Sequence, residues 1–186
     1  MSFAPMISDE ELIQKCLKGQ AKYQKILFDK FAPKMFGVVS RYFASTEEAQ
    51  DALQDGFIKV FTKLNDFNHL GSFEGWIRRI MINTSLNLIR ANQKHQFHAD
   101  IAEIQEFIED ENQSYDHLST QDMLKLIQEM PTGYRTVFNL YEIEGYHHQE
   151  IANMLGVSEN TSKSQLLKAR GYLRKRIVKL YEFNYE

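Results

Sequence analysis

The sequence holds a single cysteine, Cys16, so no disulfide can form within the chain, and a reducing compartment is its natural setting. Helical spacing makes Cys16 a half-buried helix residue; a reactive thiol is the other reading. No apolar run approaches the roughly 20 residues needed to span a membrane. The opening MSFAPMISDEE lacks a basic segment followed by an apolar core, so no secretory signal and no membrane insertion are expected, and the protein is expected in the cytoplasm. Glycine-rich phosphate loops, HExxH and CxxC spacings and a nucleophile triad are all missing. His147 and His148 are adjacent, which points them apart on a helix. No catalytic residue, metal or cofactor is therefore expected, and the chain reads as a non-enzyme.

A net charge of -3 would argue against nucleic acid if it were evenly spread. It is not. Between Asp100 and Asp122 lie eight acidic residues (Asp100, Glu103, Glu106, Glu109, Asp110, Glu111, Asp116 and Asp122) and no Lys or Arg. From Thr161 to Tyr181 there are seven basic residues and no acidic one. The acidic run marks a boundary, and the basic run suits either a solvated helix face or DNA.

Apolar residues recur at three and four, and the alternation of strands is absent, so the fold class is all-α. Two small helical domains are expected, an N-terminal helix bundle over 1–97 and a C-terminal helix-turn-helix domain over 120–186, joined by a flexible acidic linker at 98–119. The first helix starts at Ser8 with Glu11 three residues on, a capping box, and stops before Gly19. A second spans about Ala21 to Arg41, with a break or kink at Pro33. A third follows Ser45 to about Asn65, and a fourth runs from Phe73 to about Gln96. Beyond the acidic run come a helix ending at Met130, another over Gly133 to Glu144, and a last pair joined by a turn at Gly156, Val157 and Ser158.

That last pair has helix-turn-helix form: Ala152 permits close approach, Leu155 supplies core, and Gly156 allows the turn. At about 100° per residue, Leu166, Ala169, Leu173, Ile177 and Leu180 form a core stripe. Lys163, Ser164, Leu167, Lys168, Gly171, Arg174 and Lys175 share the other side, a surface that suits a major groove. The bland reading is a hairpin whose basic face only keeps it soluble. Ser162 stands where such motifs often bury an aliphatic residue, and Gln165 where a base would strengthen phosphate contact.

In the fourth helix the same count gathers Phe73, Ile77, Ile80, Thr84, Leu88 and Ala91 as a core stripe. Trp76, Arg79, Asn83, Asn87, Arg90 and Lys94 gather on another face. Cations for phosphate, a planar ring for stacking and amides for base edges are what separated strands require. The alternative is a half-core Trp76 with solvent-facing amides. The loop before it offers Phe67, Asn68 and His69 beside Gly71, where an unstacked base could rest on a ring; Phe67 could equally anchor the loop. The third helix sets Leu53, Phe57, Val60 and Leu64 inward and Glu48, Asp51, Asp55, Ile58, Lys59 and Thr62 outward. An exposed isoleucine among carboxylates suits a protein contact better than DNA.

The stretches DALQDGFIKVFTKL, SFEGWIRRIMINTSLNLIR and LIQEMPTGYRTVFNLYEIEGYHHQEIANMLGVSENTSKSQLLKAR together resemble those of the extracytoplasmic-function (ECF) class of sigma factors, over about Ile7 to Val178. The resemblance implies an N-terminal domain that binds and melts the minus-ten promoter element and a C-terminal domain that binds the minus-thirty-five element. It carries polymerase binding onto Asp51, Gln54, Asp55, Ile58 and Lys59, toward the β′ clamp coiled coil, with the β flap as a second contact. Base capture falls on Phe67, Asn68 and His69, and strand contact on Trp76, Arg79, Asn83, Asn87 and Arg90. Groove reading falls on Lys163, Ser164, Leu167 and Lys168, with Arg170 or Arg174 nearer phosphate. The acidic connector corresponds to a segment that enters the polymerase channels. Implied partners are core RNA polymerase, promoter DNA in duplex and single-stranded form, and an anti-sigma factor or other recruiting protein. The competing readings are a helix-turn-helix regulator that acts without polymerase and an adaptor that docks on polymerase without reading promoters.

Overall fold

A computed structural model describes residues 7–92 and 119–183. The chain divides into two compact units, residues 1–40 with 45–89 and residues 41–44 with 90–186. Every regular element among the described residues is helical.

The first unit contains α1 (Asp9–Leu17), α2 (Ala21–Val39), α3 (Thr46–Thr62), a 3₁₀ turn (Leu64–Asp66) and α4 (Phe73–Asn92). Side-chain caps fix two of the starts: Ser8 Oγ accepts from Glu11 N at 3.2 Å, and Ser45 Oγ from Glu48 N at 3.2 Å. The expected break at Pro33 does not occur; α2 is one helix through that residue, ending at Val39 rather than Arg41. Its buried side, with Leu27, Phe31, Met35 and Val38, holds the turns on either side of the proline in place. Cys16 is buried outright, not half-buried, and burial pushes its thiol above the ordinary value, which leaves it a poor nucleophile.

Two expected core stripes are met in part. After Ser45, Phe57, Val60 and Leu64 are buried as expected, joined by Ala49, Ala52 and Gly56, while Leu53 is only half-buried. Gly56 is inward because a Cβ there would lie 2.2 Å from Met81 Sδ, so α3 and α4 meet through a missing side chain. On α4, Phe73, Ile77 and Thr84 are buried as expected, but Ile80 and Leu88 are half-exposed and Ala91 is exposed. Met81, Ile82, Ser85, Leu86 and Ile89 take the core instead. The buried arc of α4 is thus wider than one stripe, and Ser85 enters it because its hydroxyl donates to Met81 O at 3.0 Å within the same helix.

The second unit contains α5 (Thr120–Glu129), α6 (Thr132–Phe138), a π turn (Asn139–Ile143), α7 (His148–Leu155) and α8 (Glu159–Phe183). Leu126, Ile127 and Met130 from the α5 region pack against Ala169 and Leu173 of α8. The helix expected over Gly133–Glu144 widens at its end, where Glu144 N reaches Asn139 O at 3.0 Å, a π-type bond. Gly156 adopts φ 69, the left-handed conformation expected of the turn, and Ser158 Oγ caps α8 by accepting from Thr161 N at 3.0 Å. Leu166, Ala169 and Leu173 are buried as expected, whereas Ile177 is half-buried and Leu180 is exposed. Gly171, expected on the open side, is buried. Lys94, the expected last turn of α4 to Gln96 and the acidic linker up to Asp116 lie outside the described residues. Asp122, the last acid of that run, sits in the first turn of α5, where its carboxylate accepts from Ser119 Oγ at 2.6 Å.

Candidate nucleic-acid interface

In the first unit the loop between the 3₁₀ turn and α4 makes a cavity of about 450 Å³, lined by Asp66, Phe67, Asn68, Leu70, Gly71, Ser72, Gly75, Trp76 and Arg79. Its floor is aromatic. Phe73 is buried and lies edge-on to Phe31, with ring centroids 5.5 Å apart. Trp76 stacks beside Phe73 at 5.7 Å and 15°, and Phe67 meets both rings, at 5.1 Å and 5.6 Å. Phe67 and Trp76 are each half-buried, so each ring is at once anchored in the cluster and open to the cavity. Phe67 thus anchors the loop while leaving part of its ring open to the cavity.

Short polar contacts fix the loop. Asn68 Oδ1 accepts from Leu70 N at 3.2 Å, an Asx turn, which leaves the amide NH₂ to donate elsewhere. Ser72 Oγ accepts from Gly75 N at 3.0 Å and starts α4. His69 takes φ 60, a conformation that side-chain-bearing residues seldom adopt, and its ring lies 4.6 Å from Phe67. Along α4, Arg79 at the cavity wall is exposed, and beyond it so are Asn83, Asn87 and Arg90. The structure thus brings Phe67, Asn68, Trp76 and Arg79 to one cavity. Leu70, Ser72 and Gly75 belong to it too; Leu70 and Ser72 precede the helix, and Gly75 has no side chain for an angular count to weigh.

On α3, Asp51, Gln54, Asp55 and Ile58 are exposed, and Ile58 keeps 63% of its surface open. Lys59 stands apart from them. It is half-buried, and its Nζ donates to Thr84 Oγ1 of α4 at 3.1 Å.

In the second unit α8 exposes Lys163, Ser164, Leu167, Arg170 and Arg174, with Lys168 half-buried and its Nζ 5.9 Å from the Tyr134 ring. Leu167 is 62% exposed among these cations. Several side chains already have partners: Lys163 pairs with Glu159 at 2.7 Å, and Arg170 pairs with Glu142 at 2.7 Å while lying over Tyr141. The hydrogen bond from Lys163, then its charge, hold the Glu159 carboxyl below its usual range. Such exposed pairs are weak, so a phosphate can displace either carboxylate at small cost. Ser162 is fully buried, and its Oγ lies 2.9 Å from His148 Nδ1. The aliphatic residue usual at that place is replaced by a polar pair that ties α8 to α7. His148 stacks on Tyr141 at 4.5 Å, and burial, then the charge of Lys163, lower its pKa from 6.5. Gln165 is half-buried, with its Oε1 beside Gly133, so it faces α6 and not the open side.

Among the described residues no cluster of His, Cys, Asp or Glu could hold a metal ion, and no helix is long and apolar enough to cross a membrane.

The family model Sigma-70 region 2 matches residues 27–95, and Sigma-70, region 4 matches residues 120–173. The chain is 28% identical to the RNA polymerase sigma-H factor of Pseudomonas aeruginosa over 183 residues, 92% of this chain and 95% of the relative. It is 24% identical to the ECF RNA polymerase sigma-E factor of Haemophilus influenzae over 194 residues, 95% and 99% of the two chains. The fold is similar to that of the sigma factor RpoE solved with the anti-sigma factor NepR from Bartonella quintana, with a TM-score of 0.51, 21% identity, and coverage of 83% of this chain and 96% of that one. Two matched regions that together span more than half of the sequence, and relatives aligned along nearly all of it, lead to one conclusion: the chain belongs to the sigma-70 family of RNA polymerase sigma factors, in its extracytoplasmic-function class.

Proposed function

We propose that this sigma factor binds core RNA polymerase, recognises a two-part promoter and opens it, by binding alone and without covalent chemistry. The carrying observation is the aromatic-floored cavity of the first unit, continued along α4 by Arg79, Asn83, Asn87 and Arg90. Stacking rings next to cations and amides serve separated strands better than a duplex, whose bases are already stacked. Residues 1–97 then form the domain that holds the minus-ten element through Phe67, Asn68, His69, Trp76 and these α4 residues. Residues 120–186 form the domain that reads the minus-thirty-five element through Lys163, Ser164, Leu167 and Lys168, with Arg170 and Arg174 toward phosphate. Core polymerase fixes the spacing of the two, and two weak contacts act together through a high effective concentration.

For polymerase, the outer face of α3 is the docking surface: Asp51, Gln54, Asp55 and Ile58 meet the β′ clamp coiled coil, and Lys59 braces the face from behind through Thr84. The second unit meets the β flap. The acidic residues of 98–119 suit a basic polymerase channel. The protein acts in the cytoplasm, with an anti-sigma factor or another recruiting protein as a further partner.

Run-off transcription with core polymerase and the purified chain tests this reading. The expected result is discrete start sites that need both components. Replacing Asp55→Lys together with Ile58→Asp should lower core affinity at least tenfold, as truncating a central interface residue does at about 1–3 kcal/mol. Unchanged affinity would remove α3 from the polymerase interface. Tight promoter-duplex binding by the chain alone would favour a polymerase-independent regulator.

A further inference from the structure

The most exposed large apolar side chain of the described residues is Leu70, with 87% of its surface open. The backbone on both sides of it turns through positive φ: His69 before it takes φ 60, which side-chain-bearing residues seldom adopt, and Gly71 after it takes φ 122, which glycine supplies without strain. The Asx turn from Asn68 Oδ1 to Leu70 N closes the loop at 3.2 Å, so the position of Leu70 is fixed from its own amide. Leu70 also lines the rim of the cavity floored by Phe67 and Trp76, with Arg79 on the wall. An apolar side chain held outward by a braced loop, at the mouth of a pocket for a flat ring, has the form of a wedge. Such side chains enter a base stack and fill the space that an extruded base leaves behind.

We infer that Leu70 is a wedge: it enters the base stack next to the nucleotide received by the Phe67–Trp76 cavity and keeps that stack from closing. The inference rests on the strand-binding reading of the first unit and goes beyond it. Phe67 and Trp76 act on the base that has left the stack, whereas Leu70, at the rim, acts chiefly on the stack it has left. Its contribution is therefore largest while a duplex is opening and much smaller once the strands are already apart.

The test uses holoenzyme, core polymerase with the full chain, on an intact promoter and on the same promoter with a mismatched bubble across the minus-ten element. Opening is followed by fluorescence of a 2-aminopurine placed in the bubble region. Leu70→Ala should slow opening of the intact duplex by about tenfold, in line with unstacking of one step, and lower binding to the bubble template by a much smaller factor, since Leu70 only rims the cavity. Leu70→Met, which keeps an apolar wedge, should retain most of the rate. Because Leu70 is almost wholly exposed, neither change should alter the melting temperature. Equal losses on both templates would make Leu70 a wall of the cavity and overturn the wedge. Reduced affinity for core polymerase would make it a protein contact and overturn it too, as would no change on either template. Trp76→Ala separates this from the underlying reading: it should weaken bubble binding. If it does not, the strand-binding site itself is misplaced, whatever Leu70 does.

Discussion

The DNA-suited surfaces of the two units are built on opposite plans. In the first unit the surface is concave, its floor made of rings that also belong to the core, and its shape set by a loop with strained backbone at His69. In the second unit it is one side of a single helix, where the recognition candidates stand in the open and direct part of their charge onto Glu159 and Glu142. A concave aromatic site gains by enclosing something flat, and its energy is dispersion and burial, which salt hardly touches. A row of cations gains by displacing counterions, which salt reverses. The two halves should therefore answer differently to the same perturbations.

The largest difference is expected from Trp76→Ala. Losing one stacking platform should weaken binding of a single-stranded minus-ten oligonucleotide by about 1–3 kcal/mol, roughly ten- to a hundredfold, with little change in the salt dependence. Equilibrium binding at two ionic strengths reads both, and a change in slope instead of in affinity would break the contrast. The converse is expected of Lys163→Ala with Lys168→Ala in the second unit. The slope of log affinity against log salt should become shallower by about one for each phosphate no longer neutralised, with a smaller fall in affinity because each lysine already has a protein neighbour. A steepness equal to that of the parent would deny these lysines their phosphates.

The smallest effect concerns pH and only the second unit. The pKa of His148 is lowered in the fold, by burial first and then by Lys163 and Arg170, with Glu159 opposing. Tyr141 and Ser162 complete its surroundings. Below the ordinary value of 6.5 the unfolded chain binds the proton more readily than the folded one, so stability declines as pH falls through that region and levels off below the folded pKa. Denaturant melts from about pH 7.5 to 5 should show this decline, and His148→Gln should flatten it. An equal decline in the variant would assign the sensitivity to other groups.

Much of this is readable from residue order, and the failures share physical causes. Ser8 with Glu11 and Ser45 with Glu48 announce helix starts because a cap is a local bond between near neighbours. The full width of the buried arc of α4 is not readable, because Met81 and Ser85 take their buried places through a contact with α3 and through a bond to the helix's own carbonyl. Ser162 looks like a defect in a helix-turn-helix when only its own position is considered; its partner, His148, is fourteen residues away in sequence and meets it only in the fold. Leu70 would pass for a core residue in any hydrophobicity count, and the backbone turn that carries it outward centres on a histidine, which does not advertise a positive φ. Charge segregation, by contrast, largely survives folding, which is why the basic side of α8 matches its angular count apart from buried Gly171 and half-buried Lys168.

The meeting of Gly56 with Met81 carries a consequence for how signals pass through the first unit. The bare Cα of Gly56 leaves room for Met81, and Lys59 Nζ donates to Thr84 Oγ1, so α3 and α4 are joined at two points. One helix carries Asp51, Asp55 and Ile58 on its outer surface, and the other carries Arg79, Asn83 and Asn87. The two surfaces are thus linked through these contacts, and a methyl group at position 56 would force the Met81 side chain to move.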